Sequence, residues 1–166
     1  MVINLYGGPC TGKSTVAANL FCELKKRDIS CELVQEYATD LVYSGDFKTL
    51  KDQVYVTATQ HHRVWKLLGH VEIIITDSPI LMGIAYTEDE VFKDFLQYLH
   101  NKNENIEIFL ERDLNKSYQD YGRHHTNGEA LQKDREILDI LNSRVDEFYV
   151  YSVENAVEDI LKLLKL

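Results

Sequence analysis

Proline, cysteine and basic residues are all scarce. The chain of 166 residues carries 2 prolines, 3 cysteines and 18 Lys plus Arg against 27 Asp plus Glu. No Pro/Ser/Gly-rich stretch divides it, no low-complexity tract interrupts it, and no repeat of solenoid period is present, so a single domain over residues 1–166 is expected. Cys10, Cys22 and Cys31 are odd in number and lack metal-ligand spacing, which suits free thiols in a reducing cytosol. A formal charge of -9 repels polyphosphate backbones and argues against a general nucleic-acid binder, while leaving room for a local basic site. No apolar run approaches a membrane span, and the opening Met-Val-Ile-Asn-Leu-Tyr lacks the basic start and long apolar run of a signal peptide. These absences lead us to expect a cytoplasmic protein with no membrane partner, as either a monomer or a homodimer.

What is present is 45% hydrophobic residues, enough for one core, arranged in an alternation of strand and helix patterns. Strands are expected at Val2 to Tyr6, Cys31 to Gln35, Glu72 to Thr76, Ile106 to Leu110 and Phe148 to Tyr151. Helices are expected at Ser14 to Arg27, from Tyr37 to a break near Gly45, at Leu50 to Leu68, Asp89 to Leu99, Glu129 to Val145 and Glu154 to Leu166. The segment Asp113 to Asn127 is polar and tyrosine-rich, with no strong period. Such alternation implies an α/β fold: a parallel sheet covered by helices on both faces, with ligands at the carboxyl ends of the strands.

Gly7-Gly8-Pro9-Cys10-Thr11-Gly12-Lys13-Ser14 matches the phosphate-binding loop pattern G-x-x-x-x-G-K-[ST] in full, between an expected strand and an expected helix. Glycines permit close approach of phosphate oxygens, loop amides form an anion nest, and the helix adds its positive N-terminal end. Gly7 through Thr15 are therefore the candidate ATP-binding residues. Lys13 is assigned to the β- and γ-phosphates and Ser14 to Mg²⁺. Cys10 inside the loop is either a small residue that fits the turn or a regulatory thiol.

Asp77 ends the Ile73-Ile74-Ile75-Thr76 run, where a carboxylate would hold Mg²⁺ through its water shell, or would cap the turn that follows. Glu36 ends the second strand, placed either to take a proton from an attacking hydroxyl or to open the next helix on the surface. Arg112 and Arg123 follow the fourth strand; they are candidates to stabilise a transferred phosphate from a lid-like segment at about 112–128, against the alternative of solvated surface residues. Lys116 lies in the same segment, and His124 and His125 read as surface histidines. Gln53, Gln60 and Arg63 fall near one face of the expected long helix and could read an acceptor, with His61, His62 and Trp65 in the same pocket; a solvent face with a core Trp65 is the other reading.

Four stretches carry a family resemblance: the G-G-P-C-T-G-K-S-T start, Gln35-Glu36-Tyr37-Ala38, Thr76-Asp77-Ser78-Pro79 and Asp120-Tyr121-Gly122-Arg123. On these the whole chain resembles the small P-loop kinases related to the ribosylnicotinamide kinase domain, and particularly their phage-encoded relatives. The resemblance implies an adenylate-kinase-like, five-stranded parallel sheet of order 2-3-1-4-5, with ATP as donor and a nucleoside- or nucleotide-like acceptor. It implies that Glu36 and Asp77 flank the acceptor hydroxyl and the metal, and that Arg123 is a lid arginine. Many relatives have Arg after the Glu-Tyr-Ala turn, where this chain has Thr39, which weakens transfer of a specific acceptor. Some phage relatives are thought to phosphorylate the hydroxymethyl group of 5-hydroxymethyluracil, including in DNA, an acceptor that the acidic charge disfavours here; a phage-encoded chain would act in the host cytoplasm.

The expected function is therefore an ATP- and Mg²⁺-dependent kinase acting on a nucleoside, a nucleotide or a modified pyrimidine, with either Glu36 or Asp77 positioning or deprotonating the acceptor hydroxyl. The alternative is a P-loop NTPase switch or regulatory ATP-binding protein without a small-molecule acceptor.

Overall fold

The computed structural model describes residues 1–112 and 127–166. Five strands, β1 (Val2–Tyr6), β2 (Cys31–Val34), β3 (Ile73–Thr76), β4 (Asn105–Glu111) and β5 (Tyr149–Ser152), form one sheet of order β2-β3-β1-β4-β5. Every pairing is parallel, with Ile3 opposite Ile75 on one side and Ile106 on the other. The helices are α1 (Lys13–Lys26), α2 (Tyr37–Ser44), α3 (Phe47–Leu50), α4 (Gln53–Trp65), α5 (Glu90–His100), α6 (Asn127–Arg144) and α7 (Ala156–Leu163), and a 3₁₀ segment spans Ile80–Tyr86.

Strand alternation divides the core between two faces. Ile3, Leu5, Ile73, Ile75, Ile108 and Leu110 point to one face, where Val16, Leu20 and Leu24 of α1 and Ile160 and Leu161 of α7 cover them. Tyr6 and Phe109 point to the other, against Leu81, Met82 and Ile84 of the 3₁₀ segment, Leu96 of α5, and Ile137 and Leu141 of α6. Val2, Val34 and Ile74 meet Val64 of α4 at the β2 edge. Each wholly buried Ile or Leu contributes about 1.5–3 kcal/mol, so a charge at Ile75 or Leu110 would remove a large share of the stability of a domain this size. The second face also buries Asn4, Thr76 and Glu107, polar side chains that need partners there.

Within the expected helix over Leu50 to Leu68, α4 covers Gln53–Trp65, and Leu50 is the last residue of the separate short α3. Asp46 accepts a hydrogen bond from the Thr49 N–H and caps α3, and Asp52 accepts one from the Tyr55 N–H and caps α4, so the chain restarts a helix at Gln53. Asp89 likewise lies outside α5 as its N-cap, accepting from the Phe92 N–H. The 3₁₀ segment after Pro79 was not anticipated; its Leu81, Met82 and Ile84 are buried by contact rather than by a helical period. The last helix spans Ala156–Leu163, shorter than the expected Glu154 to Leu166. Among the described residues no helix is long and apolar enough to cross a membrane.

Candidate active site

The loop between β1 and α1 is shaped by its sequence. Gly12 has φ 99°, a left-handed conformation that suits glycine, and Cys10 adopts φ 62°, which costs a residue with a Cβ about 1–2 kcal/mol. The Thr11 hydroxyl donates to the Gly8 carbonyl at 2.9 Å and closes the turn. Lys13 Nζ donates to the carbonyls of Gly7 at 2.7 Å and Gly8 at 2.9 Å, so its ammonium reaches back across the loop. Ser14 and Thr15, in the first turn of α1, are exposed. Gly8 is required by close approach: a Cβ there would lie 2.6 Å from Asp134 Oδ1 and 2.8 Å from the Ala130 carbonyl oxygen.

Asp77 follows β3 and is 5% exposed. Burial pushes its carboxyl above the ordinary carboxylate range; the neighbouring Ser14 hydroxyl opposes the shift, the Glu36 charge adds to it, and Lys13 opposes it. Its Oδ1 is buried with no hydrogen-bond partner among the described residues. A buried carboxylate oxygen without a donor costs about 1–3 kcal/mol, and a water in the shell of a Mg²⁺ ion is the kind of donor that would satisfy it. Ser14 and Asp77 thus fit the expected metal. Among the described residues no group of three or more His, Cys, Asp or Glu is placed to hold a metal ion.

Glu36 lies at the N-cap position of α2, yet its side chain makes no capping bond. Instead it accepts a hydrogen bond from the Thr39 hydroxyl at 2.8 Å. Glu36 and Lys13 line a cavity of about 510 Å³ beside the loop. Its apolar walls come from Val42, Phe47, Leu50, Val56, Ile80 and Met82; Thr39, Gln53, Thr57, Gln60 and Ser78 add polar groups. Tyr86 also borders the cavity, and its phenol, protonated at neutral pH as in any tyrosine, can donate a hydrogen bond.

The expected acceptor residues divide. Gln53 and Gln60 line the cavity, and Gln53 Nε2 also donates to the Leu50 carbonyl at 3.0 Å. Gln60 is 5% exposed; its Oε1 accepts from the Tyr37 N–H at 2.9 Å, which ties α4 to the start of α2. Arg63 does not reach the cavity. It pairs with Asp40, donates to the Gln35 carbonyl at 3.3 Å and covers the Tyr37 ring, so its guanidinium is taken up by α2 and the residue before Glu36. His61, His62 and Trp65 are not on the cavity wall either; Trp65 is 59% exposed and stacks on His62, so it is not a core residue.

Arg112 is held rather than exposed. Its Nε donates to Asp134 Oδ2 at 2.7 Å and its Nη2 to the Pro9 carbonyl at 2.6 Å. Arg123, Lys116, His124 and His125, with most of the expected lid, lie outside the described residues. Sequence reading missed Asp134, although a signal exists. Ala130, Asp134, Ile137 and Leu141 are all buried at helical spacing, so Asp134 is an acid on the apolar face of α6. Met82 and Tyr86 were missed because they reach the cavity from the 3₁₀ segment, distant in sequence from α4; Thr57 was missed although it lies between Gln53 and Gln60 on α4.

Solved structures with the same fold include deoxyadenosine kinase from M. mycoides with bound dATP (TM-score 0.62, 18% identity, all of both chains covered). They also include shikimate kinase from Aquifex aeolicus (TM-score 0.57, 18% identity, 99% of this chain and 96% of that one). APS kinase from Mycobacterium tuberculosis is similar at TM-score 0.57 and 11% identity, with 99% of this chain and 96% of that one covered. No curated protein sequence matches this chain. A family profile described as AAA domain matches residues 2–158, which includes the loop, Glu36, Asp77, Arg112 and Asp134, and the chain belongs to that AAA domain family.

Proposed function

We propose that the protein is an ATP-dependent kinase that transfers the γ-phosphate to a hydroxyl of a small acceptor held in the cavity beside the loop. The observation that carries this reading is the presence of both Lys13 and Glu36 in the lining of that 510 Å³ space. Its volume is in the range of small-molecule sites, and it adjoins the loop where the phosphates of a donor would lie. The similarity of fold to three small-molecule kinases supports the same reading.

In this reading loop amides and Lys13 bind the donor's phosphates, and Ser14 with Asp77 holds Mg²⁺. The metal, when bound, neutralises charge on the β- and γ-oxygens. Thr39 orients Glu36, and Glu36 accepts the hydroxyl proton as the acceptor oxygen bonds to phosphorus and the bond to the β–γ bridging oxygen breaks. Asp77 is less suited to be the base, since it is buried and is not on the cavity wall, whereas Glu36 is only half-buried and lines it. The apolar walls with Gln53 and a donor at Tyr86 suit a planar, polar-edged acceptor such as a nucleoside, a nucleotide or a modified pyrimidine, 5-hydroxymethyluracil included.

The test is incubation with ATP, Mg²⁺ and a panel of nucleosides, nucleotides and DNA containing hydroxymethyluracil, with products identified by mass spectrometry. A phosphorylated acceptor that disappears in Glu36→Gln supports the proposal. Steady ATP hydrolysis with no phosphorylated product would reject it in favour of a hydrolysing switch.

A further inference from the structure

Asp134 sits on α6, 126 residues from Gly8 in sequence, yet its Oδ1 accepts the Gly8 N–H at 2.6 Å. The same carboxylate receives Arg112 through Nε at 2.7 Å and Nη2 at 3.3 Å, and that Nη2 also donates to the Pro9 carbonyl at 2.6 Å. The side chains are 10% exposed for Arg112 and 12% for Asp134, and Ile137 and Leu141 anchor the helix in the core one and two turns further on.

Two peptide planes of the loop are oriented by these contacts. A trans peptide points its N–H and C=O in opposite directions, and the described chain contains no cis bond. Asp134 holds the N–H of the peptide between Gly7 and Gly8, while Lys13 holds its carbonyl, that of Gly7, from the other side at 2.7 Å. Arg112 holds the carbonyl of the peptide between Pro9 and Cys10, which directs the Cys10 N–H away from the guanidinium. Rotation of a peptide plane exchanges the N–H and C=O that face a bound phosphate, so a loop of this kind needs its planes fixed. Once Lys13 turns to a phosphate, the Asp134 bond remains to hold the first of these planes.

We infer that Asp134 and Arg112 act together as a clamp on the phosphate loop, which makes both of them positioning residues for phosphate binding and removes Arg112 from the groups that close over the transferred phosphate. The inference rests on the reading of the loop as a nucleotide site. A residue that reaches the γ-phosphate distinguishes ATP from ADP, whereas one that shapes the loop affects both alike.

Calorimetric titration of ATP and of ADP into wild type, Asp134→Asn, Arg112→Gln and the double variant tests this, with Tm recorded for each. Both nucleotides should weaken together by about ten-fold in each single variant, the size expected for an orphaned buried charge partner. The double variant should be no weaker than the weaker single, because the pair acts as one unit. Arg112→Lys, which keeps the charge beside Asp134 but loses the fork, should show the same joint loss if Arg112→Gln does not fold. Weakening of ATP with ADP unchanged would overturn the inference and put Arg112 on the terminal phosphate. Lowered Tm with wild-type affinity for both nucleotides would also overturn it. Wild-type protein that binds neither nucleotide rejects the loop reading itself, and the clamp with it.

Discussion

His100 Nε2 lies 3.5 Å from Glu107 Oε1 beneath the sheet, with the two side chains 8% and 4% exposed. Asn4 Nδ2 donates to the same Glu107 oxygen at 3.2 Å and to Asn105 Oδ1 at 3.1 Å. Burial pushes the Glu107 carboxyl up to about 7, against the nearby Tyr6 hydroxyl and the Asn4 hydrogen bond, and burial pulls the His100 imidazole down to about 4. Between those values both groups are neutral, and the pair avoids burying a charge.

This pairing predicts opposite pH responses for two variants. From pH 4.5 to 7 folded Glu107 keeps a proton that the unfolded chain has released, so the group makes stability fall as pH rises. From pH 4 to 6.5 folded His100 lacks a proton that the unfolded chain binds, so it makes stability rise with pH. In the wild type these slopes offset each other. Relative to wild type, His100→Asn should lose about 3 kcal/mol as pH rises from 4 to 6.5, and Glu107→Gln should gain about 3 kcal/mol from 4.5 to 7. Urea unfolding across pH 4–7 measures both, and slopes of the same sign would reject the pairing.

Gly8→Ala should destabilise the protein by about 1–3 kcal/mol, since its Cβ would lie 2.8 Å from the Ala130 carbonyl and α6 would have to move. The loop would shift with it, so ATP affinity should fall too. Thermal unfolding and nucleotide titration check the two effects, and an unchanged Tm would contradict the close approach.

Glu36→Gln should lower kcat by about 10²–10⁴-fold with little change in KM for ATP, as expected for loss of a base that does not bind the donor. Thr39→Val leaves the carboxylate but removes its 2.8 Å hydrogen bond, and its loss should be smaller, about ten-fold or less. Equal losses in the two variants would show that orientation rather than basicity governs the step.

Asp77→Asn should separate stability from activity. Folding opposes ionisation of this carboxyl, so a neutral amide should leave stability unchanged or raise it. Phosphoryl transfer should fall by about 10²-fold or more, with a steeper dependence on Mg²⁺ concentration, as the metal loses a carboxylate. Reduced stability together with full activity would assign Asp77 to a structural role.

Local signals made much of this legible. The loop pattern, the Ile73-Ile74-Ile75 run and the strand–helix alternation depend on near neighbours, and the sheet order matches the one expected from the family resemblance. Element ends were less legible because single side chains decide them: Asp52 and Asp89 stop one segment and start another by taking a backbone N–H.

The amino-acid sequence by itself determined the phosphate loop, the parallel architecture and the carboxylates at the ends of β2 and β3, because each follows from spacing along a few residues. Tertiary structure alone decided that Arg63 faces Asp40 instead of the cavity and that Trp65 lies in solvent. It likewise decided that Asp134 meets Gly8 across 126 residues and that His100 meets Glu107. The physical reason is common to all four. Which side of a helix meets which edge of a sheet depends on the packing of whole elements, and a polar side chain finds its partner only after that packing has brought the two together.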